Sequence, residues 1–193
     1  MRSVPFLCAL AVVAAAGPAS STTVTAPTFD DLVLRAESVV VARVVATQSA
    51  WVDSRSGRSI VTDVTEAVEQ TIKGPEYAQR TFQFLGGTVG DDTLRVEGMP
   101  QFAVGDRDVL FINEAGRPAS PLVGFMYGRF RIMRDPRTSA DMVRTHDGRP
   151  LAGTEDVGNV RPPARVAPDR TLTLADFVGA IRDKARIQAQ APR

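Results

Sequence analysis

The chain has 193 residues, 44% of them hydrophobic, and its 23 Lys and Arg residues nearly balance its 22 Asp and Glu residues. A neutral chain has no overall field that would favour nucleic acid or an anionic membrane as a partner. One histidine and one cysteine are too few for a zinc site built on these ligands. The length is sufficient for a single packed core.

The first twenty residues are typical of a cleaved signal peptide. Arg2 provides a positive start, residues 5–16 form an apolar run, and small residues at 17–20 suit a signal peptidase. The run is short for a permanent membrane span. We therefore expect residues 1–20 to be removed and the mature protein to be secreted or periplasmic, without membrane attachment. Removal also takes away Cys8, which leaves the exported chain without a disulfide.

A short helix is predicted directly after the leader. Thr28 is a good N-cap, and Asp30 and Asp31 fall in the first turn, where the helix dipole favours acidic side chains. Apolar residues then recur at helical spacing, which predicts a helix from about Phe29 to Glu37. Adjacent residues on a helix point in different directions, so the two aspartates are interpreted as capping residues and not as a catalytic pair.

A long β-hairpin follows this helix. Residues 38–47 are dense in β-branched side chains, and residues 60–72 alternate between apolar and polar side chains. A polar turn that contains glycine separates them at residues 53–58. Such a hairpin is marginal alone, so further strands must cover it.

Six further segments have the character of strands and are separated by turn signals. They are residues 80–85, 94–97, 109–112, 122–125, 128–133 and 142–144. Together with the hairpin they predict a mostly β domain at residues 28–150, an antiparallel OB-type barrel with a short N-terminal helix. A β-sandwich is the alternative. Residues 151–171 are predicted to form a linker, and an apolar stripe predicts a C-terminal helix at residues 172–188.

Five short motifs mark the predicted elements. They are Thr28-Phe29-Asp30-Asp31-Leu32, Thr62-Asp63-Val64-Thr65, Lys73-Gly74, Gly86-Gly87 and Gly98-Met99-Pro100-Gln101-Phe102. In this order they resemble a family of small secreted bacterial proteins of unassigned function.

A more distant resemblance concerns residues 31–36, Lys73-Gly74 and residues 109–112. These segments are similar to the netrin-like domain of tissue inhibitors of metalloproteinases, over roughly residues 28–113. The resemblance implies an OB-type, netrin-like barrel and a secreted protease as the partner. Those inhibitors place a disulfide-bonded N-terminal cysteine on the protease zinc. The mature chain has no cysteine, so the resemblance carries the fold and not that mechanism.

No motif indicates a catalytic site. His146 is the only histidine, beside a predicted turn and far from any serine in a nucleophile context, so a Ser–His–Asp site is not expected. We interpret it as an exposed turn residue. We predict a non-enzymatic binding module with no cofactor and no metal, which acts on another macromolecule, with a secreted protease as the candidate partner. Two alternatives stay open, a barrel that binds a small apolar ligand and a hydrolase that uses carboxylates.

The predicted binding residues lie in two loops at the rim of the barrel, because loops on a rigid scaffold commonly carry binding. They are Trp51, Arg55, Arg58, Asp91 and Asp92. The second loop, residues 86–92, lacks the spacing of a phosphate loop or of a calcium loop. The identity of the partner and the oligomeric state stay open.

Overall fold

The computed structural model describes residues 25–54, 57–114, 120–159 and 171–190. The predicted signal peptide, and residues 160–170 of the predicted linker, lie outside these residues. In the part that is described, no helix is long and apolar enough to span a bilayer.

Two α-helices and eight β-strands form in the described residues. They are α1 (Phe29–Arg35), β1 (Ser38–Ser54), β2 (Gly57–Lys73), β3 (Gln79–Leu85), β4 (Gly87–Val89), β5 (Asp92–Leu94), β6 (Arg107–Ile112), β7 (Arg129–Arg134), β8 (Asp141–Thr145) and α2 (Leu174–Gln190). The fold is therefore mostly β with one helix near each end, as predicted.

Six of the strands form one antiparallel sheet in the order β3-β2-β1-β6-β7-β8, and β4 pairs only with β5. The predicted hairpin is confirmed, since β1 and β2 pair from Val39–Lys73 to Ser54–Gly57. Register shifts after Val39, Val41 and Val44 let the long β1 bend. The last shift also exchanges the two faces of the strand, so Thr47 lies opposite the buried Val64.

Two predicted strands differ from the structure. Residues 95–97 are not strand, because β5 ends at Leu94. Residues 122–125 form an isolated bridge at Leu122, a turn, and the start of a 3-10 turn at Phe125–Gly128. Gly124 has a φ of 66°, a left-handed conformation that does not continue a strand. Apolar composition alone did not distinguish these cases.

Both faces of the sheet are packed. One face is covered by α1 and α2, and its core includes Val39, Val41, Val109 and Phe111. The opposite face holds a second core of ten residues, namely Val40, Ala42, Val44, Val64, Phe82, Phe84, Met99, Leu110, Ile112 and Leu122. The central strands β1 and β6 thus alternate between two apolar environments where they pair with each other.

The Lys73-Gly74 motif connects β2 to α1. The Lys73 Nζ donates a hydrogen bond of 2.7 Å to the carbonyl of Val33, near the C-terminus of α1. Gly74 has a φ of 88°, and a Cβ there would lie 2.6 Å from the carbonyl oxygen of Glu37. The close approach of the two chains therefore requires glycine.

The C-terminal helix is part of the packed domain. In α2 the side chains of Phe177, Val178 and Ile181 are buried against the sheet. The Phe177 ring lies 5.1 Å from the ring of Phe130, centroid to centroid. Apolar contact therefore holds this helix on the same face of the sheet as α1.

Candidate functional site

Two of the predicted binding residues meet at the tip of the hairpin. The guanidinium of Arg58 lies 4.6 Å from the centre of the Trp51 ring, within range of a cation–π contact. Trp51 is half-buried, and Arg58 is exposed. Arg55 lies outside the described residues. The hairpin therefore presents an aromatic ring and a cation at its end.

The second predicted loop packs against this hairpin. A Cβ on Gly87 would lie 2.3 Å from the Thr62 Oγ1 and 2.5 Å from the Ser49 Oγ, so β4 crosses β1 and β2 at these two residues. Asp91 and Asp92 are exposed at the turn between β4 and β5. Among the described residues no group of three His, Cys, Asp or Glu side chains could hold a metal ion.

Most of β1 has a strand on only one side. β6 pairs with residues 38–43, and Gly105 and Asp106 bond to the backbone of Val44. Beyond Val44 the described residues provide no backbone partner on this side, whereas β2 continues to the tip. We call residues 47–53 the β1 edge.

The direction of the backbone groups at the β1 edge follows from the neighbouring ladder. The carbonyl of Ile60 in β2 accepts the amide of Gly86 on the β3 side. The backbone groups of the next residue, Val61, therefore point toward β1, where its partner is Ala50. Ser49, and every second residue along the edge, direct their N–H and C=O groups away from β2.

Among the described residues the backbone of the β1 edge has little of the usual protection of an edge strand, although β4 crosses one face of it at Ser49. Residues 47–53 contain no proline and no glycine, and their only charged side chain is Asp53, beside the turn at the tip of the hairpin. Natural edge strands are normally short, charged, interrupted by proline or covered. By contrast, the edge strand β8 is covered in part, because its Arg144 and Met142 form bridges with Pro150 and Thr173. The β1 edge is therefore a ready template for one more strand.

A second feature, which sequence reasoning missed, is a buried charged cluster that consists of Glu66, Asp108 and Arg129. Glu66 and Asp108 have no exposed surface, and Arg129 is 3% exposed. The Arg129 Nη2 lies 2.7 Å from the Asp106 Oδ2 and 2.9 Å from the Asp108 Oδ2. The Asp108 contact has ion-pair distance but lacks hydrogen-bond geometry. The ring of Phe102 lies 4.1 Å from the same guanidinium.

The carboxyl groups of this cluster titrate differently. Burial, together with the nearby charge of Asp108, raises the pKa of Glu66 to about 8. Burial also raises the pKa of Asp108, against the opposing effect of Arg129. Burial tends to raise the pKa of Asp106 too, but a backbone hydrogen bond from Ala103 and the Arg129 guanidinium hold it below its ordinary value.

Glu66 could have been noticed in the sequence. It occupies a position two residues from both Val64 and Val68, so the period of a strand puts it on an apolar face. Its raised pKa, shared with Asp108, is a property that a carboxylate-dependent hydrolase requires. Both side chains are fully buried, and neither lines one of the described cavities.

His146 differs from its expected position. It is half-buried and lines a cavity of about 510 Å³ between β8 and the 3-10 turn at Phe125–Gly128. Burial lowers the pKa of its imidazole. Its ring contacts the ring of Tyr127 edge-on at 5.8 Å. The predicted turn is present at residues 146–147, but His146 itself is half-buried and not exposed.

Comparison with known proteins gave no match, whether to protein-family models, to curated proteins or to solved structures. The resemblance to netrin-like domains stays a prediction. Function is therefore inferred from the residues of this chain.

Proposed function

We propose that the chain is a secreted or periplasmic, non-enzymatic binding module that acts on another protein. The observation that carries this proposal is the weakly protected β1 edge. Its outward N–H and C=O groups repeat every second residue, which is the pattern that an added strand of a partner pairs with. Binding by strand addition needs no catalytic group and no cofactor.

Side chains beside the edge supply specificity. Trp51 and Arg58 form a fixed cation–π pair at one end, and Val52 is 38% exposed on the other face of β1. Aromatic and Arg side chains are the residues that most often dominate the energy of protein interfaces. Main-chain hydrogen bonds thus contribute affinity, and these side chains select the partner.

The finer fold is also a proposal. We infer that the six-stranded sheet is a variant of the OB-type, netrin-like barrel, with the core around Val44 and Leu110 as its interior. Two packed faces and three bends in β1 support a strongly curved sheet. This resemblance makes a secreted protease the first partner class to test.

The experiment compares two substitutions at one residue of the β1 edge. Ser49→Pro removes the outward N–H and leaves the ladder with β2 intact, because Ala50 provides that ladder. Ser49→Ala keeps the N–H and loses the same side-chain contact with Thr62. A partner is captured from the secreted fraction of the source organism, purified, and titrated against both variants.

We expect Ser49→Pro to weaken binding by more than about tenfold, and Ser49→Ala by less than about twofold. Both variants should keep the circular dichroism spectrum of the parent. Equal affinities for the two variants would exclude strand addition at this edge. If the parent chain instead forms dimers that Ser49→Pro dissociates in sedimentation experiments, the edge binds a second copy, and the proposed partner is wrong.

A further inference from the structure

The cavity beside His146 is separate from the β1 edge. It has a volume of about 510 Å³, within the range of roughly 300 to 1,000 Å³ of small-molecule sites. Its apolar wall includes Pro27, Met126, Phe130 and Val157. The lining comes from distant parts of the chain, namely the residues before α1, the 3-10 turn, β7, β8 and residues 157–159. The site is therefore built by tertiary packing.

Three hydrogen-bond donors of this cavity have no acceptor among the described residues. The Tyr127 hydroxyl and the His146 imidazole form no hydrogen bond there, only their mutual ring contact. The Arg149 Nη1 donates to the carbonyl of Asn159, but its Nε has no partner. Only the Arg149 Nε is a fully buried donor without a partner, which is costly; the Tyr127 hydroxyl and the His146 nitrogens are not fully buried and are accessible to an acceptor in the cavity.

The charges around the cavity favour an acidic acceptor. Arg129 is paired with Asp106 and Asp108, so its charge is already balanced. Asp147 also lines the cavity and carries a negative charge, but it is exposed, so solvent screens this charge; its carboxylate accepts one hydrogen bond from the hydroxyl of Thr145. Arg149 has no ion-pair partner among the described residues, and its planar guanidinium suits a carboxylate.

We propose that this cavity binds a small organic acid. The acid group accepts hydrogen bonds from Arg149, Tyr127 and His146, and an apolar body of the ligand packs on Met126 and Phe130. This proposal is independent of strand addition, because the cavity shares no residue with the β1 edge. Failure of one proposal therefore leaves the other standing.

The test uses phenylacetate as the probe and 2-phenylethanol and 2-phenylethylamine as its neutral and cationic counterparts. His146 is the only histidine in the chain, so its Cε1–H NMR signal reports on this cavity without further assignment. We expect phenylacetate to shift this signal saturably at constant pH. The alcohol and the amine should bind at least about tenfold more weakly, since a charge-assisted hydrogen bond is lost.

Arg149→Gln and Arg144→Gln form a matched pair of variants. Both arginines are half-buried, each donates one hydrogen bond to a backbone carbonyl, and each has an unpaired Nε, but Arg144 lies outside this cavity. Arg149→Gln should weaken phenylacetate binding by about tenfold, and Arg144→Gln by less than about twofold.

Tyr127→Phe adds a second check, because it keeps the ring against His146 and removes only the hydroxyl. It should weaken phenylacetate more than 2-phenylethanol. The proposal is overturned if phenylacetate gives no saturable shift, if the amine binds as well as the acid, or if the two arginine variants behave alike.

Discussion

At the scale of single residues, Glu66 is a carboxyl group with no exposed surface and no hydrogen-bond partner among the described residues. The folded protein holds its proton up to about pH 8, whereas the unfolded chain releases it near the ordinary value of 4.5. Between these values the unfolded state binds fewer protons than the folded state. The free energy of unfolding therefore falls as the pH rises from about 4.5 to about 8, and Glu66 has no further effect above that.

Glu66→Gln removes this ionisation and keeps the shape of the side chain. We expect the loss of stability between about pH 4.5 and pH 8 to shrink by on the order of a few kcal/mol, measured by urea unfolding across that range. Part of the decline should remain, because the pKa of Asp108 is raised as well. Glu97→Gln, on the exposed surface, is the control. Identical pH profiles for the two variants would contradict the assignment.

Two neighbours in β1 test the faces of the strand. Val44 is buried in the second core, whereas Arg43 is exposed, with its Nη2 3.1 Å from the Glu69 Oε1. Val44→Ala should cost about 1 to 3 kcal/mol in the free energy of unfolding, because it leaves a cavity. Arg43→Ala should cost about 0.5 kcal/mol, as is usual for a surface ion pair. Equal denaturation midpoints would show that the faces are assigned wrongly.

At the scale of elements, the junction between β2 and α1 depends on one glycine, and the hairpin tip provides its comparison. Gly74 and Gly57 both have positive φ, at 88° and 116°. A Cβ on Gly74 meets the carbonyl of Glu37, whereas a Cβ on Gly57 has nothing within 4 Å. An alanine at either site is therefore strained by the positive φ, but only the Cβ at position 74 collides with another segment of the chain.

Gly57→Ala should cost about 1 kcal/mol from backbone strain alone. Gly74→Ala should cost at least about 2 kcal/mol more, since the chain at Glu37, between α1 and β1, has to move away from β2. Thermal unfolding of both variants measures the difference. A similar melting temperature for the two would mean that the junction adapts without loss.

At the scale of the whole molecule, the first and last helices stabilise the same face of the sheet. α2 closes the helical face of the sheet, and the Lys184 Nζ lies 2.7 Å from the Asp30 Oδ2 in α1. The two helices therefore stabilise each other. Pro27, which precedes α1, forms part of the wall of the cavity at His146.

Removal of the predicted signal peptide should leave this domain complete. We expect the intact mass of the exported protein to correspond to a first residue between Gly17 and Thr23. Mass spectrometry of the secreted or periplasmic fraction measures it. A full-length form retained in the membrane of the source organism would contradict the prediction.

The sequence by itself determined the features that depend on neighbours along the chain. Thr28 and Asp31 form the capping box that begins α1, and the alternation of β1 and β2 specifies the hairpin. The apolar stripe of α2 is likewise a local pattern. Trp51 and Arg58 could be placed together because a hairpin brings the residues on the two sides of its turn into contact.

Only the tertiary structure decided the features that join distant segments. Among the described residues the β1 edge has no backbone partner because β6 pairs only with the first part of β1, and no local pattern specifies where a distant strand ends. Arg129 is balanced by Asp106 and Asp108 only through the pairing of β6 with β7. The cavity at His146 forms only when Pro27, from the start of the domain, packs near residues 126–130 and 157–159. Local periodicity specifies which face of an element is apolar, but long-range pairing decides which groups stay without a partner, and these are the groups available for binding.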